Sequence, residues 1–300
     1  MNGIIASPLN YIGGKYKLLP QILPLFPENI ETFVDLFCGG CNVGINVPAK
    51  KTIFNDNLSF LIDLYKSFNS LSVTDIFNHI ETRIKQFNLS LTNKEGYLEL
   101  RRLYNSEKNP LDLFVLTAYS FNHQIRFNNS HEFNNPFGKE RSCFNDHMKN
   151  NLLSFLKEVK SRNVEFSSTN FDNFNFSSLS NNDFVYCDPP YNSRNYCDLY
   201  HVLENVAKWE KPEVIGVAKK MDRRALKSKY CGKDAAVAFE DLVSNLKCKY
   251  IILSYNNTGD SANGRSNARI SDEEIVRILS QKGEVKMYSQ KYKAFTTGKS

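Results

Sequence analysis

The chain has 300 residues, of which 41% are hydrophobic, and its formal net charge is +6. No apolar run approaches the roughly 18 residues of a membrane-spanning helix. The first residues also lack the charged start and apolar core of a signal peptide. We therefore expect a cytoplasmic protein with no membrane partner, large enough for one big domain or a core with an inserted subdomain. Most of the positive excess lies in the last third, notably at residues 219–229, where it could follow a phosphate backbone or form a solvated helix face.

The seven cysteines are odd in number and scattered along the chain, which does not fit a disulfide framework. Cys38 and Cys41 form a CxxC pair, but no second pair stands at metal-ligand spacing. We therefore predict that the protein holds no metal.

The first sixty residues predict the start of a βαβ unit. An amphipathic segment at 16–25, interrupted by prolines, is typical of a short helix. The apolar run at 32–37 indicates a buried strand that leads into a glycine-rich turn at 39–44. A second strand at 52–54 ends near Asp56. A strand, a glycine turn, a short helix and a strand ending in an acid are typical of a nucleotide-binding half-sheet.

Helices followed by a long polar loop are predicted for the middle of the chain. Residues 58–118 and 148–160 carry apolar side chains at helical spacing. Between them, residues 120–146 are rich in Asn, Phe and His and show little period. A long loop of this kind inside a compact domain is usually functional or disordered.

Within that loop we predict a hairpin near residues 122–138. A turn at Asn128 and Asn129 would present Arg126 and Asn134 outward.

The rest of the chain alternates strands and helices. Strands are predicted at 164–166, 184–187, 249–255 and 284–288, and helices at 199–208, 234–246 and 272–281. This alternation predicts an α/β fold with a parallel sheet.

The strand at 184–187 ends in Asp188-Pro189-Pro190-Tyr191. The two prolines cannot continue a ladder because they lack an N–H, so Asp188 should lie at the carboxyl end of a core strand, where open α/β sheets bind ligands. An exocyclic base amine is a weak nucleophile because its lone pair is delocalised. Hydrogen bonds to Asp188 and the Pro189 carbonyl would localise that pair and stabilise developing charge, and Tyr191 offers a ring for an unstacked base. The alternative is a Pro-Pro turn with an ordinary surface Asp.

The glycine turn differs from a dinucleotide fingerprint because Cys41 replaces its middle glycine. That glycine admits a pyrophosphate, which S-adenosylmethionine (SAM) does not have. Asp56 stands where a carboxylate can bind ribose hydroxyls. The alternative is a tight turn plus a helix-capping Asp.

Taken in order, these elements resemble the Dam-type DNA adenine methyltransferases, the alpha group of amino-methyltransferases. That family shows GGK (here residues 13–15), a glycine-rich SAM turn, a variable recognition region and then DPPY, and other groups permute this order. The resemblance spans nearly the whole chain. It implies an α/β fold, a Rossmann-like SAM-dependent methyltransferase sheet with an inserted, mainly helical DNA-recognition subdomain. The catalytic domain would comprise residues 1–57 and 161–300, and the recognition subdomain residues 58–160.

The resemblance also implies roles by position. Cofactor contacts are expected from Tyr11, Lys15, Asp35, Gly39, Asp56, Phe171 and Asp188. Catalysis is expected from Asp188, Pro189, Pro190 and Tyr191. DNA contacts are expected from Arg126, Asn128, Asn134 and Pro136.

Two positions qualify this assignment. Asn170, before Phe171, replaces an acidic residue that the family usually has there, which leaves the polar half of an adenine contact open. Arg126 is expected to bind a guanine edge in bidentate fashion; the alternative is a pair with Glu132 across the hairpin.

The resemblance implies transfer of a methyl group from SAM to the N6 amine of a flipped adenine in a specific double-stranded DNA site. Alternatives are a SAM-dependent enzyme acting on RNA, on the cytosine N4 amine or on a protein amide, and a non-catalytic DNA-binding protein on the same scaffold. A restriction endonuclease is a possible partner, and no obligate protein partner is predicted.

Overall fold

The computed structural model describes residues 3–11, 13–128, 130–180, 182–189, 229–231, 234–255 and 270–289. They belong to two compact units. The first contains the described residues up to 189 and those at 247–255, and the second contains the others. The catalytic candidates Pro190 and Tyr191, the predicted helix at 199–208 and most of the basic stretch lie outside the described residues.

A five-stranded parallel sheet forms the centre of the first unit. Its strands are β1 (Ile30–Asp35), β2 (Ala49–Asn55), β3 (Val164–Ser167), β4 (Phe184–Cys187) and β5 (Tyr250–Leu253). Their order is β3-β2-β1-β4-β5, and every neighbouring pair is parallel. The chain leaves β1 toward β2 on one side and returns to its other side with β4. The gap between β1 and β4 is therefore the topological switch point, where such sheets form a ligand crevice. The predicted α/β fold with a parallel, Rossmann-like sheet is confirmed.

Helices lie both before and after the first two strands of this unit. They are α1 (Leu19–Ile22), α2 (Ser59–Ser70), α3 (Val73–Gln86), α4 (Lys94–Glu107), α5 (Pro110–Tyr119) and α6 (Asp146–Ser161). The predicted helix at 16–25 is three short pieces, because 3₁₀ turns flank α1 on both sides. The short helix expected after the glycine turn is a single 3₁₀ turn, Gly44–Asn46.

Local sequence explains where the helices after β2 begin. Ser72 accepts a hydrogen bond from Asp75 N at 3.0 Å and starts α3, and Asn93, Asn109 and Asn145 cap α4, α5 and α6 in the same way. Helix α5 is mainly apolar, and its residues from Leu111 to Tyr119 are all buried, including Asp112 and Thr117. It is therefore the central helix of this group.

Two clusters of buried residues pack on one face of the sheet, the face that carries Phe33, Phe54 and Phe184. The larger cluster joins buried residues of α2–α6 to Phe54 of β2. The smaller one packs Leu19 of α1 against Phe33 and Phe184. Val34, Ile53 and Val185 point to the opposite face and are also buried, as expected for a parallel sheet. Because the inserted helices share their core with β2, packing fixes them to the sheet.

The second unit contains α7 (Ala235–Asn245) and α8 (Asp272–Ser280). Arg277 of α8 forms ion pairs with Glu240 and Glu274. The strand predicted at 284–288 is wrong, since the described residues after α8 are assigned to no strand and Met287 and Tyr288 are each 67% exposed. Alternating apolar residues give a strand only where a partner takes the backbone hydrogen bonds.

Across the described ranges, no helix is both long enough and apolar enough to cross a membrane.

Candidate functional site

The turn after β1 has a backbone that requires glycine at one position. Gly39 has φ +46°, a left-handed conformation, and a Cβ there would lie 2.7 Å from the Tyr11 ring. Cys41 closes the turn by donating from its N–H to Cys38 O at 2.7 Å. Asp35, the last residue of β1, accepts from Gly44 N at 3.0 Å and so holds the far end of the turn. Tyr11 and Asp35 therefore both lie against the turn that contains Gly39, and the cofactor contacts of all three stay predictions.

The Gly39 peptide is held at both of its polar groups. Its N–H donates to Asp56 Oδ2 at 3.0 Å, and its carbonyl accepts from the Tyr65 hydroxyl at 2.8 Å. Asp56 Oδ1 also accepts from Leu58 N at 3.1 Å, beside the start of α2. Asp56 thus makes both contacts that the alternative interpretation requires, one that holds the tight turn and one beside the start of α2. Ribose binding by Asp56 stays a prediction. Sequence reasoning missed Tyr65, because a tyrosine at helical spacing is indistinguishable from an ordinary core residue.

Asp188 lies directly after β4 at the switch point and is paired with Lys15. Lys15 Nζ is 2.5 Å from Asp188 Oδ2 and also donates to the Gly13 carbonyl at 3.1 Å. Lys15 is buried, and the Asp188 side chain is 16% exposed. The other carboxylate oxygen, Asp188 Oδ1, is buried and has no hydrogen-bond partner among the described residues. Within the described residues, the carboxylate therefore has one oxygen held by a cation and one oxygen whose hydrogen-bonding capacity is unused.

Burial is the main influence on the pKa of the three carboxyl groups around the turn. Burial raises the pKa of Asp35 to about 7; the Gly44 hydrogen bond opposes that rise, the charges of Asp188 and Asp56 add to it, and Lys15 opposes it. Burial also raises the pKa of Asp56, against its backbone hydrogen bonds, and that of Asp188, against the charge of Lys15. Asp56, Asp188 and Lys15 thus all lie close enough to Asp35 to affect its pKa, and a positively charged ligand would favour the ionised forms of these carboxyl groups.

Two phenylalanine rings lie beyond the carboxyl ends of the strands, Phe37 after β1 and Phe171 after β3. The ring centroids of Phe37 and Phe171 are 5.6 Å apart. Asn55 joins the segments that carry them: Nδ2 donates to Leu36 O at 3.0 Å and to Thr169 O at 2.9 Å. Asn55 was also missed, since a single Asn at a strand end gives no sequence signal.

Asn170 makes a local contact beside Phe171. Its side-chain oxygen accepts from Asp172 N at 3.3 Å and so starts the 3₁₀ turn that carries Phe171. Asn170, which replaces the acidic residue usual in the family, thus supports this turn through its side chain.

The predicted hairpin is a ribbon with two isolated bridges, Ser120 to Phe137 and Phe127 to Phe133. Arg126 donates from Nε to Asn134 Oδ1 at 2.9 Å and from Nη2 to Asn134 O at 2.8 Å. The two side chains thus face each other across the ribbon.

Two other DNA-contact candidates also form bonds that shape this loop. Asn128 is buried; its oxygen accepts from Ser130 N and Glu132 N, and its amide nitrogen donates to Glu132 Oε2 at 2.8 Å. Pro136 is exposed, and its carbonyl accepts from Phe121 N at 2.7 Å. Asn129 lies outside the described residues. The DNA contacts of the four candidates stay predictions.

The CxxC pair is packed into the glycine turn. Cys38 and Cys41 are buried, and burial raises the pKa of both thiols, which keeps them protonated. In the described part of the chain, no group of three or more His, Cys, Asp or Glu side chains could hold a metal ion.

A family model described as D12 class N6 adenine-specific DNA methyltransferase matches residues 11–259, a range that includes GGK, the glycine turn and DPPY. The chain belongs to this family. The predicted resemblance to Dam-type enzymes is therefore confirmed.

Named relatives agree with this membership. The modification methylase StsI of Streptococcus sanguinis is 54% identical over 187 residues, covering 62% of this chain and 29% of the relative. The type II methyltransferase M.FokI of Planomicrobium okeanokoites is 52% identical over 190 residues, covering 63% and 29%. A DNA adenine methylase of Salmonella typhi is 29% identical over 187 residues, covering 61% and 64%. The chain matches less than a third of the length of the first two.

Proposed function

We propose that the chain transfers a methyl group from SAM to the N6 amine of an adenine flipped out of double-stranded DNA. The observation that carries this proposal is the Asp188 carboxylate at the switch point, which has one oxygen on Lys15 and the other buried without a hydrogen-bond partner among the described residues. Family membership supplies the reaction class, and this second oxygen supplies an acceptor for an amine hydrogen.

The residues around the turn fit SAM. Three buried carboxyl groups, those of Asp35, Asp56 and Asp188, lie near one another, with Lys15 near two of them, and SAM carries a sulfonium and an ammonium. A nicotinamide dinucleotide brings a negatively charged pyrophosphate, which these carboxylates would repel. When bound, SAM supplies an electrophilic methyl group.

Each group of this cluster has a role in holding the cofactor. Asp35 would hold the positively charged methionine end, and Asp56 the ribose. Tyr11 would line the pocket through its ring on Gly39, and Phe171 with Phe37 the adenine.

The reaction needs an amine that is both held and activated. Asp188 Oδ1 and the Pro189 carbonyl accept hydrogen bonds from the amine, which localises the nitrogen lone pair and stabilises the positive charge that develops. Lys15 fixes the orientation of the carboxylate through Oδ2. Because burial raises the Asp188 pKa, Oδ1 can also hold the proton that the nitrogen loses. Pro190 would stiffen this motif, and the Tyr191 ring would stack on the base.

DNA recognition is assigned to the helical insertion, residues 58–160, and catalysis to residues 1–57 and 161–300. Arg126, Asn128, Asn134 and Pro136 would form the reading hairpin. The StsI relative is named a modification methylase. By analogy, this chain would protect a site against a restriction endonuclease with the same specificity.

The test is Asp188→Asn with a matched control at the other end of the same strand. Asp183 is also buried; its oxygens accept from Thr32 N at 2.9 Å and from Ser180 N at 2.5 Å. Transfer of labelled methyl from SAM to duplex DNA should fall at least about a hundredfold in Asp188→Asn, because a preorganised acceptor is lost. Asp183→Asn should lower stability and keep the activity of the folded fraction. An active Asp188→Asn protein, or label entering RNA instead of duplex DNA, would refute the proposal.

A further inference from the structure

One edge of the hairpin needs hydrogen-bond partners outside the ribbon. Phe127 and Phe133 face each other, and the flanking bonds run from Asn128 N to Glu132 O (2.9 Å) and from Asn134 N to Arg126 O (3.0 Å). This is the non-hydrogen-bonded type of antiparallel pair, so the N–H and carbonyl of Phe133 point away from the opposite strand. Phe133 is fully buried, and leaving both groups without partners would be costly.

A single side chain of α4 satisfies both groups. Phe133 N donates to Asn105 Oδ1 at 2.7 Å, and Asn105 Nδ2 donates to Phe133 O at 3.0 Å. The Asn105 amide thus takes the place that a third strand would occupy beside the ribbon.

Two more side chains near the ends of α4 hold the same strand of the hairpin. Tyr97, within α4, donates from its hydroxyl to Asn135 O at 2.7 Å. Lys108, just after α4, donates from Nζ to His131 O at 2.9 Å. Together with Asn105, they hold the carbonyls of every second residue from 131 to 135. Side chains of α4 and of Lys108 therefore support one edge of this strand by hydrogen bonds to its main chain.

This support determines where the reading face lies. Successive side chains of a strand alternate between faces. Phe127 and Phe133 lie within 6.2 Å and 6.1 Å of the Tyr104 ring, so they form the inner face. Arg126 and Asn134, one residue along each strand, belong to the opposite face. The position of Arg126 and Asn134 relative to α4 thus depends on the two hydrogen bonds between Asn105 and Phe133.

We propose that Asn105 is a positioning residue for the choice of DNA target site. The inference rests on the proposed function, in which Arg126 and Asn134 read the duplex. Asn105 acts through the main chain of Phe133, and it sets the depth and angle at which the reading pair meets base edges. Its loss would relax discrimination between sites and leave SAM binding intact.

The experiment compares Asn105→Ala and Asn105→Asp with Asn93→Ala in the 300-residue chain. Asp keeps an acceptor for Phe133 N but places a carboxylate against Phe133 O. Asn93 caps the same helix through Gly96 N at 3.1 Å and provides a control for general weakening of α4. After sequencing identifies the methylated site, kcat/KM is measured on duplexes with that site and with single-base changes. SAM affinity, Tm and deuterium uptake at residues 131–135 are measured in parallel.

Both Asn105 variants should raise deuterium uptake at 131–135. They should also reduce the ratio of kcat/KM for preferred over altered sites by about fivefold or more, the scale of one misplaced base contact. Their SAM affinity should match that of the wild type. Asn93→Ala should lower Tm and keep the ratio.

Unchanged site ratios in both Asn105 variants, with an active wild type, would overturn the inference alone. A fall of the same size in the site ratio of Asn93→Ala would show that general weakening of α4 accounts for the effect. That result would also overturn the inference. If the wild type methylates no duplex DNA, the proposed function fails, and this inference with it.

Discussion

At the scale of single residues, Asp35 is the group whose charge state should respond to the cofactor. In the folded protein its pKa is about 7, far above the ordinary value of 3.8, because it is buried near other carboxylates. Its contribution to stability is full below the ordinary pKa and is lost as the pH rises through about 7. A cationic ligand favours the ionised form, so binding releases a proton near neutral pH.

SAM affinity should therefore rise with pH in this range. With a pKa near 7, SAM should bind about tenfold more weakly at pH 6 than at pH 8. Isothermal titration calorimetry across this range measures the effect, and Asp35→Asn should remove the pH dependence. A wild-type affinity that does not change between these pH values would show that Asp35 does not face the cofactor's charge.

Tyr65 provides a second prediction at this scale. Tyr65→Phe keeps the ring in the core and leaves the Gly39 carbonyl without its 2.8 Å hydrogen bond. The free energy of unfolding should fall by about 1–3 kcal/mol, and SAM binding should weaken because the turn is less well held. Tyr104→Phe, in the same core, is the matched control and should leave SAM binding unchanged. Equal SAM affinities in the two variants would contradict a role for Tyr65 in holding the turn.

Single residues also show the limit of sequence reasoning. The positions of Asp188, Gly39 and Asp56 at strand ends and in the glycine turn could be predicted because each belongs to a short local pattern; their chemical roles stay predictions. The partner of Asp188 is Lys15, 173 residues away, and its contact depends on how the amino-terminal segment packs. The roles of Tyr65 and Asn105 were not predictable, because on a helix such residues have the same pattern as core or solvated positions.

At the scale of elements, α3 and α5 are joined by a buried polar contact. Asp112 is fully buried, and its Oδ1 lies 2.6 Å from His79 Nε2 and accepts from Arg83 Nε at 2.8 Å. Within the described residues, Asp112 Oδ2 has no hydrogen-bond partner. The contact thus joins the central helix to its neighbour.

Removing this carboxylate should destabilise the helical insertion. Asp112→Ala leaves Arg83 without its partner, and the free energy of unfolding should fall by about 3 kcal/mol. Denaturant unfolding measures the change. Glu81→Ala, at an exposed position of α3, should change stability by less than about 0.5 kcal/mol. Equal effects of the two substitutions would contradict a stabilising role for the contact.

The long helices and the core strands were both predicted at this scale. The helical periodicity at 58–118 and 148–160 is confirmed by α2–α6, because the apolar spacing and the capping residues are both local. The strand at 284–288 was wrong, because alternation describes only a side-chain period and gives no partner. The hairpin forms isolated bridges because α4 supplies part of its hydrogen bonding.

At the scale of the whole molecule, the parallel sheet brings the family's separated elements to one place. Asp35 and Asp188 follow adjacent strands, and the amino-terminal Lys15 reaches the same edge. The meeting of Asp35 and Asp188 could be predicted from the sequence, since carboxyl ends of parallel strands share one edge of a sheet. The hairpin and the sheet are linked through the core that α2–α6 share with β2.

The most direct test of the central claim is the identity of the methylated nucleoside. Duplex DNA is incubated with the chain and isotopically labelled SAM, digested to nucleosides and analysed by mass spectrometry. Our account predicts label only in N6-methyldeoxyadenosine, and none with Asp188→Asn. Label in a methylated cytosine, or label that persists in N6-methyldeoxyadenosine with Asp188→Asn, would contradict it.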